Sequence, residues 1–119
     1  MSAAPLDTPL DTAIAAMAAT AQAYADACAH EQRLEDERAV AKQAAILRLL
    51  EHPNPLTNKP HSASSAEAVV ETDATYAAYR AAQRAAVVAR IVARTAAEAA
   101  RARVWAVVQP ADAWGTTDA

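Results

Sequence analysis

At 119 residues the chain has room for one domain at most. Its hydrophobic fraction of 54% includes 37 Ala and no Phe, so at roughly 25 cal/mol per Å² of buried apolar surface the core is thin, and a homo-oligomer is expected rather than a lone monomer. The single Gly excludes glycine-rich phosphate loops and argues against tight β-hairpins, while a net charge of −3 and a pI near 5.5 argue against strong duplex-DNA binding.

Ala, Arg, Gln and Glu, all strong helix formers, dominate the long segments. A first helix begins at Thr8-Pro9, with Thr8 as the cap and Pro9 at the first helical position. Asp11 adds a charge that favours a helix N-terminus. No Pro or Gly follows until Pro53, which predicts a helix over about 9–51, roughly 65 Å long at 1.5 Å per residue. Leu10, Ile14, Met17, Ala21, Tyr24, Cys28, Ala39, Ile46 and Leu50 share one face, and the spacing 10-14-17-21-24-28 is that of a coiled-coil seam. The seam is interrupted over 30–38, where the helix is polar nearly all round. That run reads as a solvated surface with ion pairs one turn apart, or alternatively as a partner-docking or register-setting segment.

The linker 52–63 carries Pro53, Pro55 and Pro60 together with Asn54 and Asn58, a firm break. Ser64-Ser65-Ala66-Glu67 reads as a capping box that starts a short helix over about 65–71. Thr72-Asp73 can cap again, and a second long helix is predicted over about 74–108, leaving a loose tail over 110–119. The expected fold is all-α, with 1–119 a single helical domain. It is an antiparallel hairpin of two long Ala-rich helices with a Pro-rich linker and a short intervening helix. Ala78, Ala82, Ala85, Ala89, Val92, Ala96, Ala99, Ala100 and Val107 form the face of helix two expected to pack on helix one, where small side chains allow close approach.

Charge is unevenly placed. From Tyr76 to Gln109 there are six Arg against one acid, Glu98. On a helical wheel Arg80, Arg84, Arg90, Arg94 and Arg101 cluster within about 120° of arc, together with Tyr76, Gln83, Val87, Ile91 and Trp105. Arginine presents a planar fork to phosphate and stacks on bases. Arg80, Arg84, Arg90, Arg94 and Arg101, with Tyr76 and Trp105 as stacking rings, therefore form a candidate single-strand nucleic-acid surface. The competing reading is a solvated face, or a seam in which Val87, Ile91 and Trp105 are buried by a partner helix and the Arg residues flank it.

Catalytic chemistry is not in view. His30, His52 and His61, the single Cys28 and the scattered acids show no metal-ligand spacing. Ser62, Ser64 and Ser65 beside His61 sit at a helix start, where serine caps, and no nucleophile-elbow pattern surrounds them. No enzyme and no cofactor is expected. A lone Cys suits a reducing cytoplasm, no run reaches the ~18 apolar residues of a membrane span, and the N-terminus lacks a signal's positive charge.

The order of elements resembles the UvsY-type recombination mediators of bacteriophages. The likeness covers about residues 10–108. It comprises a long first helix, the loop 54–61, the Ser64-Ser65-Ala66-Glu67 start, a second start at Thr72-Asp73, and a long helix carrying Tyr76 and Tyr79 and ending near Trp105. The resemblance implies a small helical protein that forms ring-like oligomers, binds single-stranded DNA and helps to load a recombinase. The competing class is a coiled-coil scaffold or inhibitor that binds another protein, served by the polar segment 30–38 and by Trp114. A secreted hairpin of the WXG type would carry Trp-x-Gly in its turn. Here the turn is Pro-rich, and Trp114-Gly115 stands in the tail.

Overall fold

The computed structural model describes residues 8–109, and the tail expected over 110–119, with Trp114, falls outside them. Helix α1 spans Pro9–Glu51 and helix α3 spans Ala74–Val108. Between them come strand β1 (Pro53–Asn54), strand β2 (Lys59–Pro60), the short helix α2 (Ala63–Ala68) and a 3₁₀ turn (Val70–Thr72). The fold is an all-α hairpin of two long helices.

Local chemistry sets the ends of these elements. The Asp11 amide donates to the Thr8 hydroxyl at 3.0 Å and the Thr8 amide to the Asp11 carboxylate at 3.4 Å, a reciprocal cap at the start of α1. Pro53 cannot continue the helix and disfavours helical backbone at His52. The Asp73 carboxylate accepts the Tyr76 amide at 2.8 Å and so caps α3.

Two expectations for the linker are corrected. A two-residue antiparallel ladder forms despite the lack of Gly, pairing Pro53 with Pro60 and Asn54 with Lys59. Asn58, at φ 55°, supplies the left-handed residue that Gly would have supplied. The Asn54 carbonyl accepts the Thr57 and Asn58 amides, and its side chain accepts the Leu56 amide at 3.0 Å. The cap of α2 is Ser62, whose hydroxyl accepts the Ser65 amide at 3.1 Å, so the helix starts at Ala63 and Ser64 is not the cap. Glu67 faces Lys42 of α1 at 3.6 Å instead of closing a capping box.

The hairpin divides into two compact units, 29–88 and 8–28 with 89–109. In the unit 29–88, Tyr76 is 1% exposed and forms a core with Ala45 and Val70, flanked by Ala41, Ile46, Leu49 and Tyr79. The Tyr76 and Tyr79 rings stack at 6.2 Å between centroids. Arg48 forks onto Asp73 with bonds of 3.1 and 2.7 Å. The segment 30–38 supplies polar anchors here. The Leu34 carbonyl accepts from the Tyr79 hydroxyl and from Gln83, and Gln83 also donates to Glu35 at 3.3 Å. The Arg38 guanidinium bonds the Tyr76 side chain, which raises the Arg38 pKa. The segment is thus register-setting within the chain as well as solvated.

In the unit formed by 8–28 and 89–109 the inward row of α1 is Leu10, Ala13, Met17, Thr20, Tyr24 and Ala27, and that of α3 is Arg90, Ala93, Ala97, Ala100 and Val104. Among its hydrophobic residues only Ala13 and Ala100 are fully buried. These rows keep most of the α1 seam expected from the sequence and correct the expected face of α3. Ile14, Ala21 and Ala39 of the predicted α1 seam are exposed, whereas Leu10, Met17, Tyr24, Cys28, Ile46 and Leu50 are half-buried. On α3, Ala78, Ala82, Ala85, Ala89, Val92, Ala96, Ala99 and Val107 are all exposed, and only Ala100 of the predicted packing face is buried. The physical reason is that Ala surrounds both helices, so the apolar pattern specifies no single face.

Candidate nucleic-acid interface

The seven residues proposed for a single-strand surface part company in the structure. Tyr76 is the largest fully buried side chain among the described residues. With one ring face stacked by Tyr79 and the rest enclosed, it offers no platform to a base, and the stacking role given to it is corrected. Arg80 is also committed internally. One of its Nη groups donates to Gln83, and its Nε lies 3.9 Å from the Glu71 carboxylate. Arg90 takes an inward position beside Ala93 and Ala97, is half-buried, and is itself engaged in an interaction. Arg84, Arg94, Arg101 and Trp105 remain exposed.

Arg94, Glu98, Arg101 and Trp105 fall at steps of four, three and four along α3, so they line one side of it. Arg94 donates to the Glu98 carboxylate at 3.1 Å, but both side chains are well over half exposed. Exposed pairs of this kind contribute about 0–1 kcal/mol, so Glu98 orients Arg94 without neutralising the row. Trp105 is 55% exposed at the end of the row.

Beside this row, α1 and α3 leave a groove of about 480 Å³. Met17, Ala18, Ala21 and Tyr24 line it from α1 and Ala97 from α3, with Arg94, Glu98 and Arg101 at its charged side. A second groove, about 420 Å³, lies among Pro9, Thr12, Ala13, Ala16, Arg103 and Val107. Tyr24 lines the groove with Arg94 and Arg101, whereas the sequence pattern places it only on the apolar seam. Its Tyr identity on a half-buried row was a signal, because a phenol leaves its polar end at the surface. Its position against Arg94 and Arg101 depends on the register between helices, which composition does not reveal.

Comparison with family models, with curated proteins and with solved structures finds no match. The site therefore stands on its own chemistry. It offers guanidinium groups for anions, one exposed indole, one half-buried phenol and an apolar trough. Among the described residues, no three His, Cys, Asp or Glu side chains come together to hold a metal ion, and no helix is long and apolar enough to cross a membrane.

Proposed function

We propose that the protein is a non-enzymatic, cytoplasmic binding protein that holds single-stranded DNA along the Arg94–Arg101–Trp105 side of α3. On this reading it works as a homo-oligomer, like the UvsY-type recombination mediators it resembles, and hands the strand to a recombinase. The observation that carries the reading is the row itself, two exposed Arg and an exposed Trp with one acid between them. Guanidinium groups track a phosphate backbone and rings stack on bases without regard to sequence.

Binding to fluorescent oligo-dT, titrated with salt, tests it. Each neutralised phosphate contributes about 0.7 to the slope of log K against log salt. Replacing Arg94 and Arg101 together by Gln lowers affinity and flattens the slope by about 1.4, with helicity kept because Gln is a good helix former. No affinity of the wild type for oligo-dT at low salt overturns the reading. A second reading, a scaffold or inhibitor that binds another protein, draws on the exposed Ile91, Val92 and Val108, at 50%, 63% and 53%. It predicts association that salt leaves largely unchanged.

A further inference from the structure

We infer that the groove beside Tyr24 is a base-binding pocket, in which one nucleobase of the strand stacks on Tyr24 while Arg94 and Arg101 hold flanking phosphates. The inference rests on the single-strand reading above and names the site within it.

Three features of the groove point to a base as occupant. The lining from α1 is apolar and mostly small, Met17, Ala18 and Ala21, with Tyr24 its only ring. At about 480 Å³ the groove is wide enough to take a flat heterocycle against that ring. The charged groups stand on α3, where Arg94 and Arg101 are two helical turns apart, about 10 Å along the axis. An anionic chain running along the row meets both cations, and a base between two phosphates turns inward. Glu98, between the two Arg and also lining the groove, repels a phosphate that would enter it. A carboxylate tolerates a base edge that carries an N–H donor, as thymine does at N3. An apolar trough flanked by cations thus favours an amphipathic, negatively charged polymer over a purely apolar segment. Tyr24 fills the role from which burial removes Tyr76.

The test compares oligo-dT with an abasic strand of equal length, each labelled and titrated into the full chain. The wild type binds oligo-dT more tightly than the abasic strand, and Tyr24→Ala removes about 5- to 150-fold of the oligo-dT affinity, corresponding to about 1–3 kcal/mol per stacked base. The same variant leaves abasic binding and the salt slope as they were. Tyr24→Phe keeps the wild-type preference. Ala21→Leu, which fills the trough without removing any contact, reproduces the loss should Tyr24→Ala alter folding or assembly. If Tyr24→Ala and Ala21→Leu bind oligo-dT like the wild type while the Arg94/Arg101 double variant does not, the pocket is wrong and the single-strand reading survives. If the wild type binds neither strand, both fall together.

Discussion

The unit 29–88 and the unit made of 8–28 and 89–109 are both built from Ala-rich helix, but they are held together by different means. In the first, aromatic bulk and polar anchors act jointly. Tyr76 closes a core over Ala45 and Val70, Arg48 grips Asp73, and Tyr79 and Gln83 bond the Leu34 carbonyl. In the second, the buried hydrophobic residues among those described are Ala13 and Ala100, and the helices leave grooves open along their contact. Directional bonds specify one register, whereas contacts between small side chains tolerate neighbouring ones. The first unit is closed by bulk and directional bonds, and the second leaves its grooves open.

The largest expected effect separates the two units directly. Tyr76→Ala deletes a fully buried ring and is expected to cost about 3–5 kcal/mol, read by chemical denaturation. Tyr24→Ala removes a half-buried ring from an open groove and is expected to cost about 1 kcal/mol. Equal losses would erase the distinction.

Asp73 gives the next effect, because it caps α3 and receives Arg48. Asp73→Ala is expected to cost about 1–2 kcal/mol through the cap, with the ion pair adding to it. The bond from Arg48, aided by backbone amides, holds the Asp73 carboxyl below its ordinary value. A carboxylate with a depressed folded pKa contributes stability that is present above its unfolded value, about 4. That contribution is lost as pH falls below 4 through the folded value. Acid titration of the melting temperature therefore shows a drop below about pH 4 that is smaller in Asp73→Asn. An identical acid profile in the variant would show that the Arg48 contact contributes nothing.

The smallest effect sharpens the anchored unit's boundary. Ser62→Ala loses the α2 cap and is expected to cost about 1 kcal/mol. Ser64→Ala, an exposed change away from the cap, stays within about 0.5 kcal/mol. Thermal melts of the pair decide between the two serines, and the reverse ranking would restore the capping box read from the sequence.

Much of the fold is legible in the sequence because its signals are local. Thr8, Pro9 and Asp11 start α1, Pro53 ends it, and Asp73 starts α3, each acting within one turn of its own backbone. The start of α2 was less legible, since three serines in four residues offer equivalent hydroxyls. Two contacts accompany the observed choice. His61 Nδ1 lies 2.9 Å from the Ser65 hydroxyl, and Glu67 faces Lys42 on α1. The linker ladder has no glycine signal in the sequence, because Asn58, rather than Gly, adopts the left-handed turn.

The sequence by itself determined two long helices, the hairpin between them, and the concentration of Arg over acid on α3. Only the tertiary structure decided which side of each helix turns inward. One residue of rotation is about 100°, and with Ala on every side it costs little apolar contact. Bulk and directional bonds settle the rotation: Tyr76 and Tyr79 need a deep site, the Leu34 carbonyl needs its donors, and Arg48 needs Asp73. In the unit 29–88 that rotation places Tyr76 in the core, and in the other unit Tyr24, Arg94 and Arg101 line an open groove.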